Sequence, residues 1–587
     1  MKPWRFIIIQ LLFVVLTAAV VGRLLYWQII EYDSFTVKAS EQHEVTTLLE
    51  AKRGKIFASD GSLLVGNEPV FLLFASLSEF KDKYKDDKEI KETAEDITEA
   101  LLPEIINNHK DPKKLSKSEK EKLFVSRRNE ISKLLNSENL VWVPLAKKIS
   151  EDSMKRVKDL GIHGLGFEEL TKRYYPESYL ASQLLGFVGK DEDGKDTGYF
   201  GLEGYYNEQL GGKPGRLIQE LDASGNPILT NDIDGSFPSD GFDITTTIDR
   251  NVQYILEEKI EEGVKKYGAK FGSAVIINPK TGEVLGMANY PNFEPSKWQA
   301  FEDDDFINQS ISDVYEPGST FKLVTIASAL DSGVVKPNTI CKCSGPIKVS
   351  GYEIQTWNNK YNPNSTIVEV LQHSDNVGAG FVGNKLGKDK FLEYLKKFGF
   401  GYKTGIDLQG EEGGLVKELQ DWSDVDLVTT SFGQGISVTG LQMTSALGAI
   451  ANDGVFMKPQ VVKKIHSAES EINLEPEVIE QVIKPVTASI MREMLLAAVE
   501  GGEAKNLIPK GYRVGGKTGT AQVAFGGKYD PSQAVASFIG FGPIEEPRFV
   551  MLVKYVDPTP IYGAETAEPT FFEIAKKLYP YWGIPVR

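Results

Sequence analysis

Glu316-Pro317-Gly318-Ser319-Thr320-Phe321-Lys322, running into Leu323-Val324-Thr325-Ile326-Ala327, is the stretch from which the fold is read. Pro317 and Gly318 interrupt any preceding regular element, and the apolar run after Lys322 has the length and composition of a buried helix. Ser319 is therefore expected at a helix N-terminus, where free backbone N–H groups and the helix dipole favour negative charge. Lys322 follows one helical turn later, so its amine can return to the serine oxygen. A serine attacks only when something takes its proton, and a lysine can take it only if burial or a neighbouring cation depresses its pKa. Taken alone, S-x-x-K more often describes an N-cap serine followed by a surface lysine. Companion motifs must decide.

The chain has 587 residues, enough for two or three domains with sizeable cores. A net charge of −16 argues against nucleic-acid binding, which needs clustered Lys and Arg. Cys341 and Cys343, two apart in a turn-rich segment, are free thiols or a local pair. No histidine cluster accompanies them, and His43, His109, His163, His373 and His466 form no H-x-x-x-H pair, so no metal or other cofactor is expected.

Phe6 to Gly22 is uncharged and apolar, and the character resumes after Arg23 through Ile30. About 20 residues cross ~30 Å of hydrocarbon, so this is read as an uncleaved transmembrane anchor with Arg23 reaching outward and Tyr26 and Trp27 at the interface. Lys2 and Arg5 precede the span and Glu31 and Asp33 follow it, which puts the N-terminus in the cytoplasm and the rest outside. Residues 43–76 alternate as strands around the turn Ser59-Asp60-Gly61. From Ser78 to about Lys158, Lys, Glu and Asp dominate with apolar residues at helical spacing, which predicts solvated helices. The acidic run Asp191–Asp196 fails as a calcium loop, since Asp196 stands where Gly is needed and Leu202 where Glu is needed. Farther on, Ile244–Ile248 reads as a strand, Asp249 caps a helix to about Tyr267, and residues 273–288 read as a hairpin. An α+β domain from about 242 to the end follows.

Two motifs lie downstream of Ser319: Ser374-Asp375-Asn376, after a helix over Ile367–Gln372, and Lys517-Thr518-Gly519-Thr520, whose residue types suit an edge strand. Each alone is common; the ordered triple with S-x-x-K is the signature of penicillin-binding proteins and class A β-lactamases. Beyond it, the chain resembles a class B penicillin-binding protein, the monofunctional peptidoglycan D,D-transpeptidase family. The resemblance includes Arg53-Gly54-x-Ile56, Gly201-Leu202-Glu203 and Phe432-Gly433-Gln434-Gly435. Two positions depart: Ala58-Ser59 stands where the family usually shows Asp-Arg, and Asp375 occupies the central, less chemically committed position where many relatives have Ser.

The resemblance implies an anchor over 1–31, a mixed α/β pedestal over 32–241 resembling a dimerisation domain, with a charged helical insert at about 78–158, and a transpeptidase domain over 242–587. That last domain would hold an antiparallel five-stranded sheet flanked by helices plus an all-α subdomain. It implies that Ser319 attacks the D-Ala-D-Ala bond of a stem peptide and that Lys322 takes its proton. Ser374 protonates the leaving nitrogen, and Asn376 binds the substrate backbone and Lys322. Lys517 keeps Lys322 neutral and, with Thr518 and Thr520, holds the terminal carboxylate, while Gly519 permits close approach. Backbone N–H groups of Ser319 and Thr520 form the oxyanion hole. β-Lactams acylate the same serine. The acyl group passes to an amine of a neighbouring stem peptide, and the glycan comes from a polytopic membrane polymerase.

The alternatives are a β-lactamase, a D,D-carboxypeptidase, and a non-catalytic sensor or scaffold. No E-x-x-L-N segment stands between Ser374 and Lys517 to supply class A deacylation, and a lactamase has no use for an anchored pedestal. A scaffold has no physical need for Lys322, Ser374 and Lys517 together.

Overall fold

The computed structural model describes residues 4–35, 44–107, 109, 114–138, 140–220, 234–356, 358–502, 507–525 and 528–586. Lys2 and His43 lie outside these. The chain divides into two compact units, Met1–Arg53 with Gly211–Gly241, and Gly54–Leu210 with Phe242–Arg587. The first holds the apolar helix Trp4–Leu25, continued by a π-helical turn Tyr26–Ile30, and a three-stranded sheet of Glu44–Leu49, Gly215–Glu220 and Asp234–Ser236. The 25 residues Phe6–Ile30 are long and apolar enough to cross a membrane, and none of them is buried by protein. The Arg23 guanidinium lies 4.7 Å over the Trp27 ring.

The second unit is organised by two sheets. One runs Glu471–Asn473, Val462–His466, Asp243–Thr246, Ile56–Phe57, Leu63–Ser76, Trp142–Ile149, with Leu165–Tyr174 also paired to Leu63–Ser76. Ile56–Phe57 joins Asp243–Thr246 in parallel, so the strands on either side of residue 241 share one ladder. The turn that departs from the family pattern is closed by backbone: Ala58 N–H donates to Ser62 O at 2.8 Å and Ser59 N–H to Ile248 O at 2.8 Å. Arg173 ties the sequence motifs together by donating to Glu203 Oε1, to Gly54 O (both 2.6 Å) and to Asn67 Oδ1 (3.0 Å).

The charged stretch forms helices Asp87–Asn107, Lys117–Leu135 and Glu151–Asp159, as its spacing predicts, but Trp142–Ile149 between them is a strand. Its Val143 and Leu145 alternate inward onto Ile90, Ile97, Leu101, Ile131 and Leu135. Pairing with Leu63–Ser76 supplies the backbone partners that override the helical surroundings. Asp191 caps its own turn, accepting from Asp193 N–H at 3.0 Å and Lys195 N–H at 2.8 Å.

The other sheet is antiparallel and five-stranded, in the order Val284–Tyr290, Phe271–Ile277, Phe549–Val556, Lys528–Gly542, Gly515–Phe525. Its inner strands are apolar on both faces because both faces are covered. Ala274, Ile276, Met551 and Val553 pack under helices Arg250–Tyr267 and Ala567–Tyr581, while Val275, Ile277, Val550 and Leu552 pack beneath Lys322–Asp331 and Gly440–Ala451. Asp249 caps the first of those helices through Asn251 N–H and Val252 N–H. Helix Lys322–Asp331 is buried from Lys322 through Ala329, which explains why it is apolar all round. Cys341 and Cys343 are joined in a disulfide, Cα–Cα 5.3 Å, and pack on Val370 and Val377 beside helix Asn376–Leu386.

Candidate active site

Gly318, with φ +56°, turns the chain into a single 3₁₀ turn, Gly318–Phe321, and the α-helix starts at Lys322. Ser319 thus lies in the 3₁₀ lead-in and not at the α-helix start itself. A 3₁₀ turn stacks residues i and i+3 on one line, which aims both side chains the same way. The turn is held from outside. Gly318 N–H donates to Gly433 O at 3.0 Å, and Gly435 N–H donates to Glu316 Oε1 at 2.8 Å. Gly433 has φ +81°, and a Cβ there would sit 2.3 Å from Gly318 O, so only glycine fits.

Lys322 is wholly buried, and its Nζ lies 3.0 Å from Ser319 Oγ, 2.6 Å from Ser374 O, 3.2 Å from Ser374 Oγ and 2.8 Å from Asn376 Oδ1. Burial, then the Lys517 charge, depress its pKa well below that of an ordinary lysine, with Asp375 opposing them. A neutral amine has two N–H groups and one lone pair. Ser374 O and Asn376 Oδ1 can only accept, so they take the two N–H groups, and the lone pair is left for a hydroxyl. Asn376 is oriented by its Nδ2, which donates to Gln355 O at 3.4 Å. Ser374 reaches the amine with both its carbonyl and its hydroxyl because it adopts φ +54°, a strained conformation for serine. Asp375 follows as N-cap of helix Asn376–Leu386.

Lys517, Thr518, Gly519 and Thr520 lie on the edge strand Gly515–Phe525. Lys517 is 5% exposed; its Nζ sits 3.1 Å from Thr518 Oγ1 and bears on Lys322 through its field. Gly519 lets strand and nucleophile turn approach: a Cβ there would meet Ser537 Oγ at 2.5 Å, Thr320 Cγ2 at 2.8 Å and Pro317 O at 3.0 Å. Thr520 Oγ1 accepts from Gly563 N–H at 3.1 Å, leaving its hydroxyl proton free to donate. Ser319, Lys322, Ser374 and Asn376 therefore meet directly, Lys517 joins them electrostatically, and Thr518, Gly519 and Thr520 line the adjoining strand. The sequence named Gly433 and Gly435 only as family matches and did not find Gly563. The G-Q-G pattern was the available signal for the first two, whereas nothing local marks the third.

A buried lysine of depressed pKa on a serine hydroxyl, beside an edge strand carrying a second lysine and hydroxyls, defines a serine acyl-transfer protein. A family model described as penicillin binding protein transpeptidase domain matches residues 272–577, and one described as penicillin-binding protein dimerisation domain matches residues 48–246. The chain is 33% identical to Stage V sporulation protein D of Bacillus subtilis over 98% of its own length and 86% of that protein. It is 31% identical to the peptidoglycan D,D-transpeptidase FtsI of Escherichia coli over 73% of its length and 71% of that protein. It superposes on penicillin binding protein 2X of Streptococcus thermophilus with TM-score 0.73 and 26% identity, covering 92% of this chain and 80% of that one. The chain belongs to the class B penicillin-binding proteins.

Proposed function

We propose that the protein is a peptidoglycan D,D-transpeptidase that β-lactams acylate. The observation that carries this is the buried Lys322 amine, its pKa held well below that of an ordinary lysine, 3.0 Å from Ser319 Oγ and within reach of Ser374 and Asn376. Ser319 Oγ forms a bond to the carbonyl carbon of the penultimate D-Ala while its proton passes to Lys322 Nζ. The carbonyl oxygen becomes an oxyanion, held by the backbone N–H groups of Ser319 and Thr520. Collapse breaks the C–N bond as Ser374 delivers its hydroxyl proton to the departing D-Ala nitrogen and is reprotonated by the Lys322 ammonium, whose Nζ lies 3.2 Å from Ser374 Oγ, so the amine is neutral again. An amine from a neighbouring stem peptide then attacks the acyl-enzyme by the reverse route. Lys517, Thr518 and Thr520 hold the terminal carboxylate, and Gly519 admits the substrate backbone.

Residues 1–31 serve as anchor with the N-terminus cytoplasmic, 32–241 as pedestal, and 242–587 as transpeptidase domain with a helical subdomain carrying S-D-N. A polytopic glycan polymerase joining through the anchor supplies the strands, and co-purification tests that pairing. The enzyme reading is tested by fluorescent penicillin. Wild-type protein is expected to form a stable adduct, and Ser319→Ala to form none. Cross-linking of lipid-linked glycan carrying an acceptor amine should follow; rapid release of penicilloate would instead identify a β-lactamase, and release of D-Ala to water alone a carboxypeptidase.

A further inference from the structure

Lys554 stands on the central strand Phe549–Val556, two residues past Leu552 and on the same face, yet its side chain is only 1% exposed. Its ladder partners on that face are Ser273 on one side and Ser537 on the other, and Ser537 pairs in turn with Gly519 of the edge strand. The groups that answer its ammonium come from the chain above the sheet. Nζ lies 2.6 Å from Asp313 Oδ2, 3.4 Å from Gln309 O and 4.7 Å from the centre of the Tyr315 ring. All three belong to the segment that runs straight into Glu316-Pro317-Gly318-Ser319.

Stability alone does not call for this pair. Methionine is similar to lysine in length and apolar like Val550 and Leu552 on the same face, and well-packed apolar residues often match a buried ion pair. What the pair adds is a fixed distance and direction. The segment is already tied to its flank, where Leu441 N–H donates to Ser310 O at 2.9 Å and Tyr315 and Val438 exchange backbone bonds of 3.0 and 2.9 Å. Those bonds do not register it against the sheet. Two sheet positions do. At Gly519 a Cβ would lie 2.8 Å from Thr320 Cγ2 and 3.0 Å from Pro317 O, and Lys554 grips Asp313 two strands, about 10 Å, along the same cross-strand row. We infer that the Lys554–Asp313 pair fixes the lead-in segment Gln309–Tyr315 on the central strand and so sets where Ser319 stands relative to the edge strand. Both residues act through that segment and are positioning residues.

This rests on the transpeptidase reading above. The test is acylation of the full-length protein by fluorescent penicillin, resolved into the limiting first-order rate and the apparent affinity, with thermal melting alongside. Wild type is compared with Asp313→Asn, Lys554→Met and the double variant. Asp313→Asn leaves a buried ammonium unanswered and is expected to melt lower, whereas Lys554→Met and the double variant bury no such charge and are expected to melt close to wild type, so either of these two decides. In both, the limiting rate is expected to fall by about 10–10²-fold with the apparent affinity kept within about threefold, because the nucleophile is misplaced while the carboxylate-binding strand is untouched. A limiting rate within about twofold of wild type in Lys554→Met or in the double variant overturns the inference and leaves the pair as packing. Wild-type protein that forms no adduct overturns the transpeptidase reading and, with it, this inference.

Discussion

In the proposed mechanism Lys322 serves as the base because burial and the Lys517 charge hold its pKa well below that of an ordinary lysine, and the same field would draw an anionic substrate. Removing the Lys517 charge should therefore do two things. In Lys517→Met, β-lactam acylation is expected to fall by about 10²–10⁴-fold, and its acid limb to move to higher pH, because Lys322 regains proton affinity. A pH–rate series measures both, and a limb that stays in place would separate Lys517 from the relay. At this scale the spacing of Ser319 and Lys322 was legible, since three residues make one turn of helix. The left-handed conformation of Ser374, which presents two oxygens to one amine, was not, because no residue-level signal demands φ +54° of a serine.

Helix Arg250–Tyr267 carries a second perturbed group, far from the chemistry in sequence. Glu257 accepts Ala181 N–H at 2.6 Å and Gln253 Nε2 at 2.7 Å, and burial, helped by Glu177 and Glu261, pushes its carboxyl up to about 7. The folded state therefore binds this proton more tightly than the unfolded state. The carboxyl's contribution is fully present below the unfolded value near 4.5 and is lost as pH rises through about 7. Glu257→Gln keeps an accepting oxygen without the charge. It is expected to match wild type near pH 5 and to exceed it by about 1–3 kcal/mol at pH 8, read from denaturant midpoints. A pH-independent difference would contradict this account.

The helix itself was predictable from Asp249 and the apolar repeat, and the hairpin over 273–288 from its Pro/Gly turn. Strand Trp142–Ile149 was not, because its pairing partner lies far back in the chain at Leu63–Ser76. Local composition carries no record of that ladder.

Across the second unit, motifs distant in sequence converge on one buried ion pair. Arg173 and Glu203 have side chains 7% and 0% exposed, and Arg173 also holds Gly54 O. Removing one partner strands a buried charge, so Glu203→Ala should cost about 3–5 kcal/mol, measured as a lowered denaturant midpoint, while leaving the residues around Ser319 chemically intact. Loss of no more than a surface mutation's cost would show the pair to be dispensable.

Read alone, the chain gave up its apolar N-terminal span, the α+β class of the region after residue 242, and the candidate reacting groups. These depend on hydrophobic period, on chain punctuation and on three short motifs, all local properties. The tertiary structure decided the rest. It put Lys322 among four oxygens, set Gly433 against Gly318 and brought Thr520 under Gly563. Proton affinity and close approach depend on burial, distance and neighbouring charge, and those exist only once segments remote in the chain are packed together.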